Sequence, residues 1–375
     1  MRKVGLIPLL AAIFLVCSIS AGAQAPTGSQ IRNAQLETRA VSGSLDSTIR
    51  GIASSQTSPL WVGYAVPMIE AKDGRWRSMC CGSWSSDYGN GNCNPCSIES
   101  SRGTNETESD RPITGGGTVR LEGPQEMFML LRLADHRVGR ILSLTEDCQV
   151  DAGGMRMIWL TGVSAADSVT VLTGIALAPE SDTREGREPV DSAVRAIAMT
   201  KDASADRALS SFIALDKPES LRSKTAFWLG NSRGREGLDM LKRMAKSDTS
   251  PKVREQVTFA LTQSREKDAL DELIRMAKED ESSRVRGQAL FWLAQKAGQR
   301  AAGAITEAIE NDPDTDVKKK AVFALSQMPK DEGVPKLIEV ARSNKNAAVR
   351  KQAMFWLGQS NDPRALAFFE EVLTH

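Results

Sequence analysis

Five cysteines, Cys80, Cys81, Cys93, Cys96 and Cys148, carry most of the chemistry this chain could perform, since it has only two histidines, His136 and His375. Cys80-Cys81 and, after a gap of eleven residues, Cys93-Asn94-Pro95-Cys96 offer four thiolates, and Cys-x-x-Cys is a half-site for zinc or an iron–sulfur cluster. Adjacent cysteines are poor joint ligands, because neighbouring side chains of an extended segment point to opposite faces. Only one Cys-x-x-Cys is present, and no histidine follows it as in a c-type haem site. The preferred reading is two disulfides and one spare thiol, with Cys148 tying its strand to the Cys80–Cys96 loop. The alternative is a metal-binding or thiol-redox module built on Cys80, Cys81, Cys93 and Cys96. A redox role for Cys93 and Cys96 lacks the helix start or βαβ setting that lowers a thiol pKa.

The remaining signals for catalysis are weak. Asp135-His136-Arg137 has hairpin-turn composition, so His136 reads as a turn residue rather than a base. Asp151-Ala152-Gly153-Gly154 makes a tight turn without the strand–loop–helix setting and lysine of a phosphate cradle. Asn105-Glu106-Thr107 matches a glycosylation sequon. No catalytic residue, cofactor or resident metal is expected, and the chain reads as a non-enzyme.

Charge excludes another class. The 48 Lys+Arg and 47 Asp+Glu leave a formal net charge of +1, unlike a protein that captures nucleic acid by bulk charge. At the amino terminus Arg2 and Lys3 precede an apolar run from Val4 to Ile19, and Ala21-Gly22-Ala23 is an A-x-A cleavage site. Residues 1–23 therefore read as a signal peptide, with cleavage before Gln24 and an exported product, periplasmic or secreted. No membrane span is expected after cleavage.

The elements behind these residues fall into two textures. Residues 24–177 read as a β-rich α+β domain with the cysteine cluster, with strands around Leu60–Val66, Arg75–Met79, Met127–Leu131, Val138–Leu142 and Met157–Leu160. Helices are expected at Leu45–Ser54 and after Ser164, whose spacing to Asp167 is that of a capping box. Residues 99–117 read as a polar loop and 178–189 as a linker. From 190 to 375 a 32-residue period takes over, with Phe227, Phe259, Phe291, Phe323 and Phe355 in one column and Leu229, Leu261, Leu293, Leu325 and Leu357 in another. Each unit holds two amphipathic helices too small to bury their own apolar surface, so only stacking closes a core. Trp228, Trp292 and Trp356 recur every 64 residues and are expected in that core.

These repeats resemble the short HEAT-like repeats of phycobilisome-lyase type, an α-solenoid class, with about six helix pairs over 190–375, the first degenerate. The resemblance implies a ladder tying successive repeats, carried by Asp216, Asp248, Asp280 and Asp312, with Asn344 in the last copy, and by Arg222, Arg254, Arg286, Lys318 and Arg350. It does not carry lyase activity, since solenoids of this kind mostly bind proteins. The iron site of the related deoxyhypusine hydroxylases needs repeat histidines that this array lacks before His375. A protein partner is thus expected on the wet face of the second helices. There Asp239, Arg243, Lys246, Asp271, Arg275 and Lys278 give way to Glu307, Glu310, Glu339 and Glu371, a change of sign that would polarise a groove.

Overall fold

The computed structural model describes residue 26 and residues 30–70, 78–80, 83–85, 96–99, 124–179, 183–296 and 299–374. The expected signal peptide, Cys81, Cys93, Asn105 and His375 lie outside these residues.

The amino-terminal elements are β1 (Ile31–Arg32), β2 (Gln35–Ala40), α1 (Leu45–Ser55), β3 (Leu60–Pro67), β4 (Ser78–Cys80), β5 (Ser83–Ser85), β6 (Cys96–Ser97), β7 (Glu126–Ala134), β8 (Arg137–Thr145), β9 (Val150–Asp151), β10 (Arg156–Thr161) and α2 (Ala165–Ala176). Five strands form one sheet in the order β2-β10-β3-β7-β8, with β10 parallel to β2 and β3, and the β3–β7 and β7–β8 pairs antiparallel. The β7–β8 turn is Asp135-His136, both at positive φ, and His136 Nδ1 lies 2.8 Å from the Ala53 carbonyl. His136 thus anchors a two-residue hairpin turn.

Alternation along the central strands sends apolar side chains to both faces of the sheet, which is why β3 and β7 read as nearly continuous hydrophobic runs. Val62, Tyr64, Met129 and Leu131 face α1 and α2, and the Tyr64 hydroxyl is 3.1 Å from Ser168 on α2. Burial pushes the Tyr64 phenol up to about 12. Trp61, Phe128, Leu130 and Trp159 face the other way, under Ile31, Cys96, Ile98, Cys148 and Val150. The short sheet β1-β9-β6 lies in this second layer. Gly63 is required where it stands, since a Cβ there would collide with the Trp159 ring.

The helical half begins with α3 (Arg184–Met199) and α4 (Ala203–Phe212). Five regular pairs follow: α5 (Glu219–Ser232) with α6 (Gly234–Ser247), α7 (Pro251–Gln263) with α8 (Asp268–Glu279), α9 (Ser283–Lys296) with α10 (Gln299–Asn311), α11 (Thr315–Ser326) with α12 (Lys330–Ser343), and α13 (Ala347–Gln359) with α14 (Pro363–Thr374). First helices pack directly on one another from pair to pair, more closely than second helices do. Each second helix crosses its own first helix through a column of small buried residues, Gly237, Ala269, Ala301, Gly333 and Ala365. A Cβ at Gly237 or Gly333 would collide with the carbonyl of Leu229 or Leu325.

The expected linker over 178–189 is corrected. Thr183 caps α3 by accepting the Gly186 N–H, so Arg184–Pro189 form its first turns. Pro189 stands in the second turn of α3, where its missing N–H removes one intrahelical bond. α3 packs against both β8 and α5, and one apolar core runs from Leu45 under the sheet to Phe368 in the last pair. The sheet and the array are therefore joined by a shared helix rather than a tether.

Candidate protein-interaction surface

The ladder fixes the frame on which any surface of the array is displayed. Arg222 Nε lies 2.8 Å from Asp248, Arg254 Nε 2.8 Å from Asp280 and Arg286 Nε 2.7 Å from Asp312, each with a second bond from Nη2. Each arginine thus forks onto the aspartate of the next pair, 26 residues on, while its Nη1 donates to a carbonyl at the start of its own helix. Each aspartate also accepts the N–H two residues ahead, fixing the turn into the next first helix. Guanidinium and carboxylate are buried and fully hydrogen-bonded, the condition under which a buried pair is tolerated. The hydrogen bond from Asp280 holds Arg254 above its usual arginine range, and Asp312 does the same for Arg286.

Four expected members stand outside this pattern. Asp216 is exposed and pairs with its neighbour Lys217, because position 190, where a preceding arginine would lie, is Val190. Lys318 lacks a fork and donates to the Glu310 carbonyl, while Asn344 donates to the Glu310 carboxylate, so the fourth rung has no ion pair. Arg350 donates Nη1 to the Asn344 and Lys345 carbonyls and meets no carboxylate among the described residues.

The second-helix candidates do share one exposed face, but many are already neutralised. Asp239 pairs with Arg235, Asp271 with Arg300, Arg275 with Glu272 and Glu279, Lys278 with Glu307 at 2.5 Å, and Glu371 with Arg342. Arg243 reaches only the Ser210 hydroxyl at 3.5 Å. Lys246 and Glu339 have no side-chain partner among the described residues. Among these candidates, those without an ion pair among the described residues are thus basic on α6 and acidic on α10 and α12, where the Glu310 carboxylate meets only the Asn344 amide.

An aromatic row that the sequence reading did not assemble runs along the first helices. Phe227 stacks on Phe259 at 6.0 Å, Phe259 meets Trp292 at 4.8 Å, Phe291 stacks on Phe323 at 6.1 Å, and Phe323 meets Trp356 at 4.9 Å. The tryptophans lie against the core, half-buried, rather than inside it. The Phe and Trp columns were both visible in the sequence; their meeting depends on the offset between neighbouring helices. At the ends of two first helices, Gln263 and Gln327 donate to the adjacent Thr262 and Ser326 hydroxyls.

In the sheet domain Cys80 is disulfide-bonded to Cys148, and Cys96 is disulfide-bonded as well, to a partner outside the described residues. Disulfide sulfurs are not thiolates, so a four-thiolate site from Cys80, Cys81, Cys93 and Cys96 loses two donors. Among the described residues no cluster of His, Cys, Asp and Glu is arranged to hold a metal. Sequence reasoning also passed over Glu99, which the Arg132 guanidinium grips at 3.0 and 3.2 Å and the Trp61 indole N–H meets at 2.6 Å. Burial pushes the Glu99 carboxyl up, but the Arg132 and Trp61 hydrogen bonds outweigh it and hold it below the usual range. No described helix is long and apolar enough to cross a membrane.

Known proteins match the helical half. The family model for HEAT repeats matches residues 206–294 and 303–375. No curated protein matches the chain. Among solved structures, human deoxyhypusine hydroxylase in complex with glycerol is 19% identical, with 56% of this chain and 80% of that chain covered and a TM-score of 0.29. The complex of CpcE and CpcF of phycocyanin lyase from Nostoc sp. PCC7120 is 16% identical, covering 54% of this chain and 80% of that chain with a TM-score of 0.26. Kap121p bound to Pho4p is 14% identical, covering 52% of this chain and 25% of that chain with a TM-score of 0.32. The carboxy-terminal part of this chain is an array of HEAT repeats following a mixed α/β sheet region.

Proposed function

We propose that this protein is an exported, non-enzymatic interaction scaffold, in which the HEAT array holds a protein partner and the disulfide-tied sheet domain closes one end of the array. One observation carries the reading: of the second-helix candidates, those without an ion-pair partner among the described residues are Arg243 and Lys246 on α6 and Glu310 and Glu339 on α10 and α12. Such a face orients a partner of opposite polarity and acts mainly on association rate. Arg275 is held by two glutamates, so reversing Arg243 and Lys246 to Glu is the cleaner test. Capture of the partner by the immobilised protein should slow about three- to tenfold at low salt, converge with wild type as salt rises, and leave the melting temperature unchanged. Equal capture rates at low salt would remove the polarised face.

Export rests on the amino-terminal pattern of Arg2, Lys3, the apolar run and Ala21-Gly22-Ala23. Residues 1–30 fused to a reporter active only outside the cytoplasm should give signal, with the mature chain starting at Gln24. A reporter retained in the cytoplasm would overturn this part of the reading.

A further inference from the structure

The first helices carry a surface of their own, opposite the buried stripe that on α7 is Val253, Val257 and Leu261. On α7 this outer side shows Gln256, Phe259 and Gln263, on α9 Gln288, Phe291 and Gln295, and on α11 Lys320, Phe323 and Gln327. Offsets of three, four and seven residues keep each trio on one side of its helix. Phe227 and Asn231 continue the strip onto α5. Each ring thus lies between two rows of long polar side chains. Gln256, Gln288 and Gln295 have no side-chain partner among the described residues, while Gln263 and Gln327 donate one N–H to a neighbouring hydroxyl and leave the amide oxygen unbonded there. All four helices have another first helix or α3 packed on either side, so the strip is complete within the array.

The strip lies on the inside of the array's curvature. First helices pack on one another more closely than second helices do, and a stack that is tighter on one side bends toward that side. Glycines permit the approach: a Cβ at Gly230 would collide with the Ala260 carbonyl, and one at Gly287 with the Lys320 side chain lying against α9.

The exposed chemistry of the strip selects what it can hold. Phe227 and Phe259 stack at an interplanar angle of 15° and Phe291 and Phe323 at 6°, so these rings spend their faces on one another and offer edges. A nucleobase stacks on an open ring face. A ring edge carries the positive end of the quadrupole and suits a carbonyl oxygen. A glutamine amide donates and accepts as a peptide unit does, so glutamine rows beside ring edges match an extended main chain. Charge adds a direction. Lys224 pairs with Asp191, Glu255 with Arg284 and Lys319 with Asp316, whereas Lys320 has no ion-pair partner among the described residues.

We infer that this concave strip holds a peptide segment in extended conformation, running from α5 to α11 with its main chain against the glutamines and ring edges and an acidic side chain on Lys320. The charged second-helix face lies on the other helix of each pair, so the two surfaces can fail independently.

First helices stand ~8–10 Å apart, so three spacings take about nine residues of extended chain. A phage-displayed library of random peptides of that length is selected against the full chain, and enriched sequences are synthesised with a fluorescein label. An Asp or Glu at one fixed end is expected. Binding should weaken about tenfold with Gln263→Ala plus Gln295→Ala, and by a similar factor when alternate main-chain nitrogens of the peptide are methylated. Lys320→Glu should reverse the preference, so that the same peptide with Lys in place of its acidic residue binds better. Arg243→Glu with Lys246→Glu should leave binding unchanged. None of these variants should lower the melting temperature, since the replaced groups are not buried and alanine favours the helix. Enrichment no greater than on a chain carrying Gln263→Ala, Gln295→Ala and Lys320→Glu overturns the proposal, as does binding indifferent to those changes and to methylation. Strip-dependent binding of cellohexaose or a thymidine decamer, with no peptide enriched, overturns it in favour of a sugar or a nucleic acid.

Discussion

Replacing Cys80 and Cys148 together by Ala should destabilise the sheet domain by about 4 kcal/mol, the loop-closure entropy returned to an unfolded chain when a cross-link over 68 residues is removed. The bond joins β4 to the turn after β8, and the loop it closes holds β5, β6, β7 and β8. The face of the sheet away from α1 and α2 depends on that closure, because Cys148 and Cys96 belong to the layer covering Trp61 and Trp159. The near-UV signal of these tryptophans should therefore be lost at lower urea concentration in the variant and in the reduced wild type. The far-UV signal at 222 nm, which comes mostly from α5–α14, should move much less, since each repeat draws its stability from its neighbours. Coincident loss of both signals would show that the core shared through α3 makes sheet and array one cooperative unit.

Asp280→Ala should cost about 3 kcal/mol, the lower end of the loss found when one partner of a buried pair is removed, because Arg254 keeps an ion pair with the exposed Glu281. The substitution leaves the Arg254 Nε–H and the Ser282 N–H unsatisfied at once, while Nη2 still donates to Glu281. For an array of this size that is a fall of about 10 °C in the melting temperature. The double variant Arg254→Met with Asp280→Leu should recover much of the loss, because neither charge then remains buried. A single variant that melts within about 2 °C of wild type would show the rung to be dispensable. The comparable change at Asp216, which is exposed and outside the ladder, should be nearly silent.

The array was legible because its information repeats. A column such as Leu229 to Leu357 states one burial fact five times, and the Asp and Arg columns stand out for the same reason. What the period does not contain is the offset between neighbouring helices, so the 26-residue pairing of Arg254 with Asp280 and the stacking of Phe227 on Phe259 needed three dimensions. In the sheet domain the strands with apolar runs were readable, and Leu60–Pro67 and Glu126–Ala134 lie where the alternation put them. β2 was missed because Gln-Leu-Glu-Thr-Arg-Ala is a solvent-facing edge strand with no apolar face to signal it. The two-residue strands β1, β6 and β9 are too short for any periodicity. The first turns of α3 were hidden by Arg-Glu-Gly-Arg-Glu-Pro, a composition that reads as linker, although Val190, Val194 and Ile197 continue a helical stripe from it. At the cysteines, spacing left disulfides and thiolate ligands open, and the approach of Cys80 to Cys148 across 68 residues is a tertiary fact.

The fourth rung gives the array a graded stiffness. Three forked ion pairs hold α5 through α11 in series, and then Lys318 and Asn344 replace the next fork with single bonds to Glu310. A stack of this kind behaves as a chain of springs whose weakest link takes most of the strain, and here that link joins the α11–α12 pair to α13–α14. Thermal breathing should concentrate there, so α13 and α14 form a separate opening unit that swings on the Lys318–Asn344 seam while the forked segment keeps its pitch. A hinge so placed lets α13 and α14 tilt without disturbing the spacing of charges along the forked part of the array.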